Sequence, residues 1–360
     1  MEDRVGQKIG CTLVKGIGNR TWKKWLTELS LSDCYTLPEK LLRQRLGNGK
    51  LVTRWLQERT SALEKAKQIQ SKTAAQMVWF QDPDYPARLA QCPDAPLLFY
   101  YLGAPCWNHS KVVAVVGTRT PDQQGLNLTR KLIQFLHTHN VLVVSGMAYG
   151  IDYEAHQTAN AINMQNIAVL GSALNQPYPY QHRGEIKKTE NRGAVISEFP
   201  WGTKPDRENF PQRNRIIAGL ADLTIVVQSK AKGGALITAE LAQDYNREVG
   251  CFPGDIGNPN FSGNNKFIYA TKAFCIHEMD SIIEQMGWST SGQQLQLNWS
   301  PPPFPDRFCY LKNFIDPSGT HIDILCCKTG KPASAIQQDL FYLELENFVR
   351  IGPGNIVHLV

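Results

Sequence analysis

The spacing of apolar and polar residues changes along the 360-residue chain. Residues from about 10 to 75 carry apolar side chains at helical spacing; in LVKGIGNRTWKKWLTEL one helical face collects Trp22, Trp25, Leu26 and Leu29. Further along, short apolar runs alternate with amphipathic segments. We therefore predict four segments: a helical domain of SAM or helix-hairpin-helix type (1–76), a sheet-containing domain (77–288), a linker (289–305) and a terminal domain (306–360).

The second segment has the pattern of a parallel sheet that is covered on both faces. Its apolar runs, which include VVAVVG, VLVVSG, NIAVLGS and LTIVVQS, are nearly continuous rather than alternating. Strands of this kind are buried on both sides, and the amphipathic segments between them supply the covering helices. The sequence therefore predicts an α/β domain with a doubly wound parallel sheet.

The flanking segments are predicted to be small and mainly helical. Near the start, the turn Gly16-Ile17-Gly18 resembles a helix-hairpin-helix turn, whose backbone amides bind phosphate. A plain helix–helix turn requires the same glycines and is the simpler interpretation. The terminal segment has about three helical stretches and then FVRIGPGNIVHLV, a hairpin with Pro353-Gly354 at its turn, which together predict a winged-helix-like domain.

Composition narrows the class of protein without assigning a function. Apolar residues make up 42% of the chain and charged residues 19%, enough for a sizeable core, and the net charge of +6 is compatible with an anionic partner. The nine cysteines include no CxxC pair, so we expect no structural zinc site. With no signal-peptide pattern and no apolar run of membrane-spanning length, we expect a cytoplasmic protein that binds no membrane.

The residues that follow each predicted strand are the candidates for ligand binding, because an open parallel sheet binds ligands at the carboxyl ends of its strands. A dinucleotide site is excluded: Arg119 stands where GxGxxG requires glycine, and the second strand ends in Ser145-Gly146 rather than in an acid. Lys230 and Lys232 instead precede Gly233-Gly234, which begins a helix whose amides and dipole favour an anion. The pattern predicts a site for a phosphate-bearing ligand.

Catalytic interpretations have less support from the residues. Asp152 and His156 have the i, i+4 spacing of a pair of metal ligands, but an N-cap at Asp152 and a packed or hydrogen-bonded His156 explain them more simply. Glu198 ends a strand without a second carboxylate close in sequence, and there is no nucleophile elbow and no Walker A loop. We therefore expect no catalytic residue, no metal and no cofactor.

Six motifs occur in a fixed order in the second segment: VVAVVGTRTPDQQG, SGMAYGIDYEAH, IAVLGSALNQPYP, ISEFPWGTKPDRENFPQRNRIIAGL, GGALITAELA and VGCFPGDIGNPNFSGNNKFI. This set resembles the DNA processing protein A family (DprA, also called Smf) over residues from about 80 to 287. The resemblance implies an extended Rossmann-like core, single-stranded DNA as ligand, loading of the recombinase RecA onto that DNA during natural transformation, and no enzymatic activity.

The resemblance also implies which residues act. The DNA-binding candidates are Arg119, Ser145, Gly146, Lys204, Phe210, Arg213, Asn214, Arg215, Lys232, Gly233 and Gly234. The family forms dimers, and Phe267 and Ile268 match a region near that interface, although ordinary core packing explains them equally well. The chain departs from the family at Tyr149, which replaces an arginine, at Asn175, which replaces an acid, and at Gly233 and Ala235, which replace serines.

Two other functions remain open at this stage. A nucleotide-cleaving enzyme of the phosphoribohydrolase type has a PGGxGTxxE loop; KGGALITAE shares its two glycines and Glu240 but lacks the proline and the flexible centre. The other is a scaffold protein that keeps the fold without binding DNA or catalysing a reaction. For the terminal domain we expect a structural or protein-binding role, because its candidate recognition helix carries Asp339, Glu344 and Glu346, which would repel a phosphate backbone.

Overall fold

A computed structural model describes residues 4–104, 106–288, 304–316, 319–352 and 354–359. The chain divides into two compact units, Met1–Ser289 and Thr290–Val360. Most of the predicted linker, residues 289–303, lies outside the described residues. The other predicted domain boundaries stay predictions. Within the described ranges, no helix has both the length and the apolarity needed to cross a membrane.

The first unit begins with helices, as predicted. Their bounds are Arg4–Leu13 (α1), Asn19–Glu28 (α2), Leu31–Thr36 (α3), Glu39–Leu46 (α4) and Lys50–Lys72 (α5). Trp22, Trp25 and Trp55 form the centre of their packing, and the rings of Trp22 and Trp55 meet edge to face at 4.7 Å. The same apolar cluster includes Leu98 and Tyr100 of the sheet, so these helices are packed onto the α/β layer.

Strands and helices then alternate along the chain. The elements are β1 (Gln76–Trp79), α6 (Ala87–Ala90), β2 (Leu98–Gly103), β3 (Val112–Val116), α7 (Gln123–Thr138), β4 (Leu142–Ser145), α8 (Ile151–Ala161), β5 (Asn166–Val169), α9 (Arg183–Arg192), β6 (Ala194–Ser197), α10 (Asn209–Leu220), β7 (Leu223–Val226), α11 (Gly234–Asp244), β8 (Glu248–Cys251), α12 (Ser262–Tyr269), β9 (Phe274–Cys275) and α13 (Asp280–Gln285).

The strands form one nine-stranded sheet in the order β1-β2-β6-β5-β4-β3-β7-β8-β9. All neighbours from β6 to β9 are parallel. Successive residues of β3 pack into different layers: Val113 and Val115 contact the α7 side, while Ala114 and Val116 join the cluster of α10. Burial on both faces explains the continuous apolar runs, and the predicted doubly wound, Rossmann-like α/β class is confirmed.

Antiparallel pairing occurs at one edge of the sheet, where β2 alone runs against the other strands. β2 pairs antiparallel with β6, and β1 pairs antiparallel with β2, in the register Val78 to Phe99. The hydrophobic pattern does not predict these pairings. An apolar run such as LLFYYLG shows that a strand is buried but carries no information on its direction.

The second unit contains a smaller fold. Its elements are α14 (Cys309–Lys312), β10 (Thr320–His321), α15 (Ile322–Thr329), α16 (Ala333–Leu345), β11 (Val349–Gly352) and β12 (Ile356–Leu359). Leu325, Leu340 and Val357 lie at its fully buried centre. The strands β11 and β12 form the expected hairpin with Gly352 opposite Ile356, and β10 adds a third strand. Pro353, placed at the predicted turn, lies outside the described residues.

Candidate nucleic-acid interface

The candidate site lies where the order of the sheet reverses. From β3 the chain proceeds through β4, β5 and β6 on one side, and β7, β8 and β9 continue on the other. A crevice opens between the carboxyl ends of two strands at such a point. Here the loops after β3 and β7 form it, and they are joined by the Thr118 amide, which donates to the Gln228 carbonyl oxygen at 2.7 Å.

Two cavities make up this crevice. One of about 290 Å³ is lined by residues that include Arg119, Asp152, Phe210, Arg213, Asn214, Lys230, Lys232, Gly233 and Gly234. The other, of about 620 Å³, is lined by Tyr178, Pro205, Asp206, Arg207, Pro211 and Ile237 together with four residues of the first, Arg119, Phe210, Asn214 and Gly234. Because they share these four residues, we treat both as one strand-end groove.

Four cations of the strand-end groove are exposed: Arg119, Arg207, Lys230 and Lys232. None of them belongs to an ion pair with any residue that the structure describes. The Arg119 guanidinium lies over the half-buried ring of Phe210, with its central carbon 5.3 Å from the ring centroid. These side chains can therefore neutralise an anionic ligand without first breaking an internal ion pair.

The two glycines before α11 have different roles. A Cβ atom at Gly233 would lie 2.1 Å from Ser229 Oγ and 3.1 Å from the Lys230 carbonyl oxygen, so the fold itself restricts that position. A Cβ atom at Gly234 would meet no atom within 4 Å. Gly234 thus leaves open space over the first amides of the 11-residue helix α11, which begins without a side-chain cap.

Arg213 forms the floor of the groove rather than its rim. Its side chain is only 3% exposed, and its guanidinium donates to the carbonyl oxygens of Gly146 and Val169 and to Asn214 Oδ1. Burial lowers the pKa of Arg213 to about 10, and the negative charge of Asp152 opposes this shift. Burial likewise raises the pKa of Asp152, while Arg213 opposes the rise.

Ser145 and Gly146 support this floor. The Ser145 hydroxyl is fully buried and donates to the Val115 carbonyl oxygen at 2.6 Å. A Cβ atom at Gly146 would lie 2.5 Å from the guanidinium of Arg213, so glycine is required there to admit that side chain. The structure thus places Gly146 against Arg213, while Ser145 is fixed within the sheet by its bond to β3.

Arg215 lies outside the strand-end groove. Its guanidinium pairs with the Glu198 carboxylate and donates to the Asp94 carbonyl oxygen. Asn19 of α2 donates to the same Glu198 carboxylate at 3.1 Å. This cluster lines a third cavity of about 660 Å³ next to the Gly16 turn. The ion pair with Arg215 gives Glu198 a structural role at its strand end, so no acid–base role is needed to explain it.

Lys204 is exposed on the loop between β6 and α10. The loop is held at Gly202, whose amide donates to Asn175 Oδ1 at 2.9 Å, and at Thr203, whose carbonyl oxygen accepts from the Ala173 amide at 3.1 Å. Asn175 therefore anchors this loop through a neutral side-chain oxygen. The residues after Lys204, Pro205 to Arg207, line the groove.

The predicted cap at Asp152 is wrong. Helix α8 begins after Gly150, and the Asp152 carboxylate accepts instead from the Gly146 amide at 3.2 Å. His156 is fully buried and its Nδ1 lies 2.7 Å from Asn166 Oδ1, as the packed interpretation requires. Burial lowers the pKa of His156 to about 4. Among the described residues there is no cluster of three or more metal-ligating side chains.

Several residues of the groove were not among the predicted DNA contacts. The sequence predicts Lys230 only as a cation that flanks the glycine loop, and it predicts no role for Arg207 or Tyr178. Tyr178 is 42% exposed. A signal for it existed in the run NQPYPYQHR, where aromatic residues follow β5 in a polar loop. The dimer candidate Phe267 is 5% exposed and packs in the core, Ile268 is half-buried, and Tyr269 beside them is 90% exposed.

Comparison with known proteins gives the context for this groove. Residues 76–287 match the family model of DNA recombination-mediator protein A. Protein Smf of Escherichia coli is 32% identical over 310 residues, which cover 79% of this chain and 80% of that protein. Protein Smf of Synechocystis is 44% identical over 176 residues, but these span 48% of this chain and less than half, 44%, of the relative.

Solved structures agree with the sequence comparison. The X-ray structure of DNA processing protein A from Streptococcus pneumoniae superposes with a TM-score of 0.68 at 30% identity and covers 78% of this chain and 95% of that one. DNA processing protein A from Helicobacter pylori, whose single-stranded DNA binding mode has been studied structurally, superposes with a TM-score of 0.54 at 25% identity. The match covers 59% of this chain and 96% of that one. On this agreement of motifs, fold and relatives, the chain belongs to the DNA recombination-mediator protein A (DprA/Smf) family.

Proposed function

We propose that this protein is a recombination mediator that binds single-stranded DNA in the strand-end groove, protects it and loads the recombinase RecA onto it. Membership of the DNA recombination-mediator family supports this function, and so does the single-stranded DNA binding of the Helicobacter pylori relative. The observation that carries the proposal is the set of four exposed cations, without ion-pair partners in the described part of the chain, at the point where the sheet order reverses.

The groove offers each chemical group that an unpaired strand requires. Arg119, Lys230 and Lys232 provide positive charge for phosphates, and Gly234 leaves the first amides of α11 accessible to an oxyanion. The ring of Phe210 provides a face on which a base can stack. Stacking accepts every base, so we expect little sequence preference.

The predicted contacts divide into two classes. Arg119, Lys204, Phe210, Lys232 and the Gly233-Gly234 loop are proposed to touch DNA, and Asn214 lines the same groove. Arg213, Ser145 and Gly146 are proposed to act beneath it by fixing the floor. For Arg215, which pairs with Glu198 away from the groove, we propose a role in holding α2 against the sheet.

A nucleotide-cleaving activity finds less support in this geometry. Glu240, the acid that such an enzyme would need, lines a neighbouring cavity that meets the groove at Lys232 and Gly233, and its carboxylate lies 3.8 Å from the Lys272 ammonium. Two carboxylates line the groove: Asp152 is buried and accepts a hydrogen bond from the Gly146 amide, and Asp206 is exposed and accepts one from the Glu208 amide. We therefore propose a binding function rather than catalysis.

RecA, natural transformation and the cytoplasm enter this proposal through the family resemblance. We also propose a homodimer, as the family resemblance implies. Because Phe267 packs in the core, the surface of α12 that we assign to the contact is the one that carries Tyr269 and the edge of Ile268. The C-terminal unit is proposed to bind protein or to serve structure.

The test is a titration of fluorescent oligonucleotides at several salt concentrations. We expect single-stranded DNA to bind more tightly than duplex, with a slope of log K against log salt of about −2 if three cations each contact a phosphate at about −0.7 apiece. Arg119→Ala should weaken binding at least tenfold and make the slope less steep by about 0.7.

A matched control is Arg192→Ala, which removes another exposed arginine at a position that lines neither cavity. This variant should bind like the wild type. Equal affinity for both strand forms, or full affinity in Arg119→Ala, would remove the basis of the proposal. Cleavage of nucleoside monophosphates that is abolished by Glu240→Gln would establish the enzyme instead.

A further inference from the structure

Exposed aromatic rings continue from the strand-end groove along two loops: Tyr178 and Tyr180 lie in the loop before α9, and Tyr149 lies in the loop before α8. Tyr178, Tyr180 and Tyr149 expose 42%, 65% and 39% of their surfaces. Large aromatic side chains left in water on one surface mark an interaction site more often than isolated ones do. We call Tyr149, Tyr178, Tyr180 and Arg183 the tyrosine rim.

Contacts on this loop connect the tyrosine rim to the groove. The ring of Tyr178 lies beside Phe210, with centroids 5.8 Å apart and planes tilted by 59°. Tyr180 follows two residues after Tyr178. The Arg183 guanidinium covers one side of its ring, with the central carbon 4.0 Å from the ring centroid, while Tyr180 as a whole remains two-thirds exposed. Gln181, which follows Tyr180, accepts a hydrogen bond of 3.1 Å from the Tyr149 hydroxyl.

The ring of Tyr149 is fixed from below. It meets the buried His182 edge to face, with centroids 4.9 Å apart, and His182 also packs on Tyr153 at 4.1 Å. His182 Nδ1 in turn lies 2.9 Å from the Met147 carbonyl oxygen. A ring held in this way loses little conformational entropy when a planar ligand stacks on it.

The charges around the tyrosine rim favour a polyanion. Arg183 lies at one end and Arg119 at the other, where the backbone of Gly150 approaches the Arg119 Cα so closely that a Cβ would be 2.8 Å away. The nearby carboxylate of Glu185 is almost buried and paired with Lys188 at 2.7 Å. Asp206 lines the same cavity as Tyr178 but lies next to the exposed Arg207, so phosphates that pass along the rim would meet Arg119, Arg183 and Arg207 against one exposed acid.

We propose that the tyrosine rim is a second base-stacking surface, which takes the nucleotides that extend beyond the strand-end groove. This inference rests on the proposed function, because it assumes that the groove holds the first part of the strand. Tyr149 then acts by a different chemistry from the arginine that the family resemblance places there: the ring stacks a base where a guanidinium would hold a phosphate.

The experiment compares two double variants with the wild type over a series of oligothymidylates from 4 to 20 nucleotides. Tyr149→Leu/Tyr180→Leu removes both rings, and Tyr149→Phe/Tyr180→Phe keeps them. Each stacked base contributes roughly a five- to hundredfold gain in affinity. We expect the leucine variant to bind the longest oligonucleotides at least tenfold more weakly, to approach wild-type affinity for the shortest, and the phenylalanine variant to stay within about twofold throughout.

A direct readout uses the unmodified protein. Oligothymidylates that carry one 5-iododeoxyuridine at successive positions should cross-link to Tyr149 or Tyr180 from positions outside the shortest oligonucleotide that binds, as mapped by mass spectrometry. Leucine variants that bind every length like the wild type, or adducts that never include these tyrosines, would overturn the second surface. If Arg119→Ala changes binding at no length, the proposed function has failed instead.

Discussion

Replacing Arg213 by methionine should destabilise the protein far more than the same change at Arg119. The two arginines line one cavity, but Arg213 is 3% exposed and Arg119 faces solvent. Arg213→Met removes the guanidinium hydrogen bonds to Gly146, Val169 and Asn214 and leaves Asp152 buried without its opposing cation. Breaking a buried charge interaction of this kind costs about 3–5 kcal/mol.

Arg119→Met is the matched control, because it makes the same chemical change at an exposed position with no ion pair among the described residues. It should alter the free energy of unfolding by no more than about 0.5 kcal/mol. Urea unfolding followed by tryptophan fluorescence measures both, with Trp22 and Trp55 as buried reporters. The slope of the unfolding free energy against urea should be unchanged if both remain two-state.

A third variant tests the cause of the loss. Asp152→Asn keeps the size of the side chain and its acceptor for the Gly146 amide but removes the negative charge. Added to Arg213→Met, it should recover about 1 kcal/mol or more, since residues that share a charge interaction are not additive. A loss below 1 kcal/mol for Arg213→Met, or no recovery in the double variant, would refute the assignment of Arg213 to the floor.

Three further outcomes follow from the same structure. Gly234→Ala should leave the unfolding free energy unchanged or raise it by up to about 1 kcal/mol while weakening DNA binding in the titration above, because its Cβ meets no protein atom but stands over the α11 amides. The free energy of unfolding measured in urea should fall as the pH drops from about 6.5 to about 4. In this range His156 binds a proton in the unfolded chain but stays neutral when it is buried in the folded protein, so His156→Gln should make the free energy less dependent on pH. Tyr269→Glu should convert a dimer to a monomer in light scattering while Lys266→Glu, on the same helix, should not; a monomeric wild type would contradict the dimer.

The sequence was sufficient for the parallel sheet and its strand ends. Continuous apolar runs require cover on both faces, and the structure has that cover on Val113 and Ala114 alike. Strand direction followed less directly, because β2 is as apolar as the parallel strands but runs antiparallel to both of its neighbours. Pairing direction depends on connections that the hydrophobic pattern does not encode.

The role of each cation could not be read from the sequence. Arg213 and Arg215 are two residues apart on α10, yet one is buried under the groove and the other pairs with Glu198 on another side of the helix. Helical spacing predicts that the two face different directions, but not which direction has the ligand. Asp152 was also misplaced, since the close approach of Gly146 to its carboxylate depends on how two loops meet.

The smaller cavity of the strand-end groove has an excess of positive charge that a bound anion would neutralise. Arg119, Arg213, Lys230 and Lys232 line the smaller cavity with Asp152 as its carboxylate, which leaves a local excess of three positive charges. Arg119 contributes to lowering the pKa of Arg213, so the cations already repel one another across the cavity. A bound phosphate backbone relieves that repulsion as well as adding its own contacts. Full-length protein should therefore melt at a higher temperature with oligothymidylate than with an equal concentration of uncharged nucleosides, and the increase should shrink in Arg119→Ala; an equal increase with both ligands would show that the excess charge is not what holds the strand.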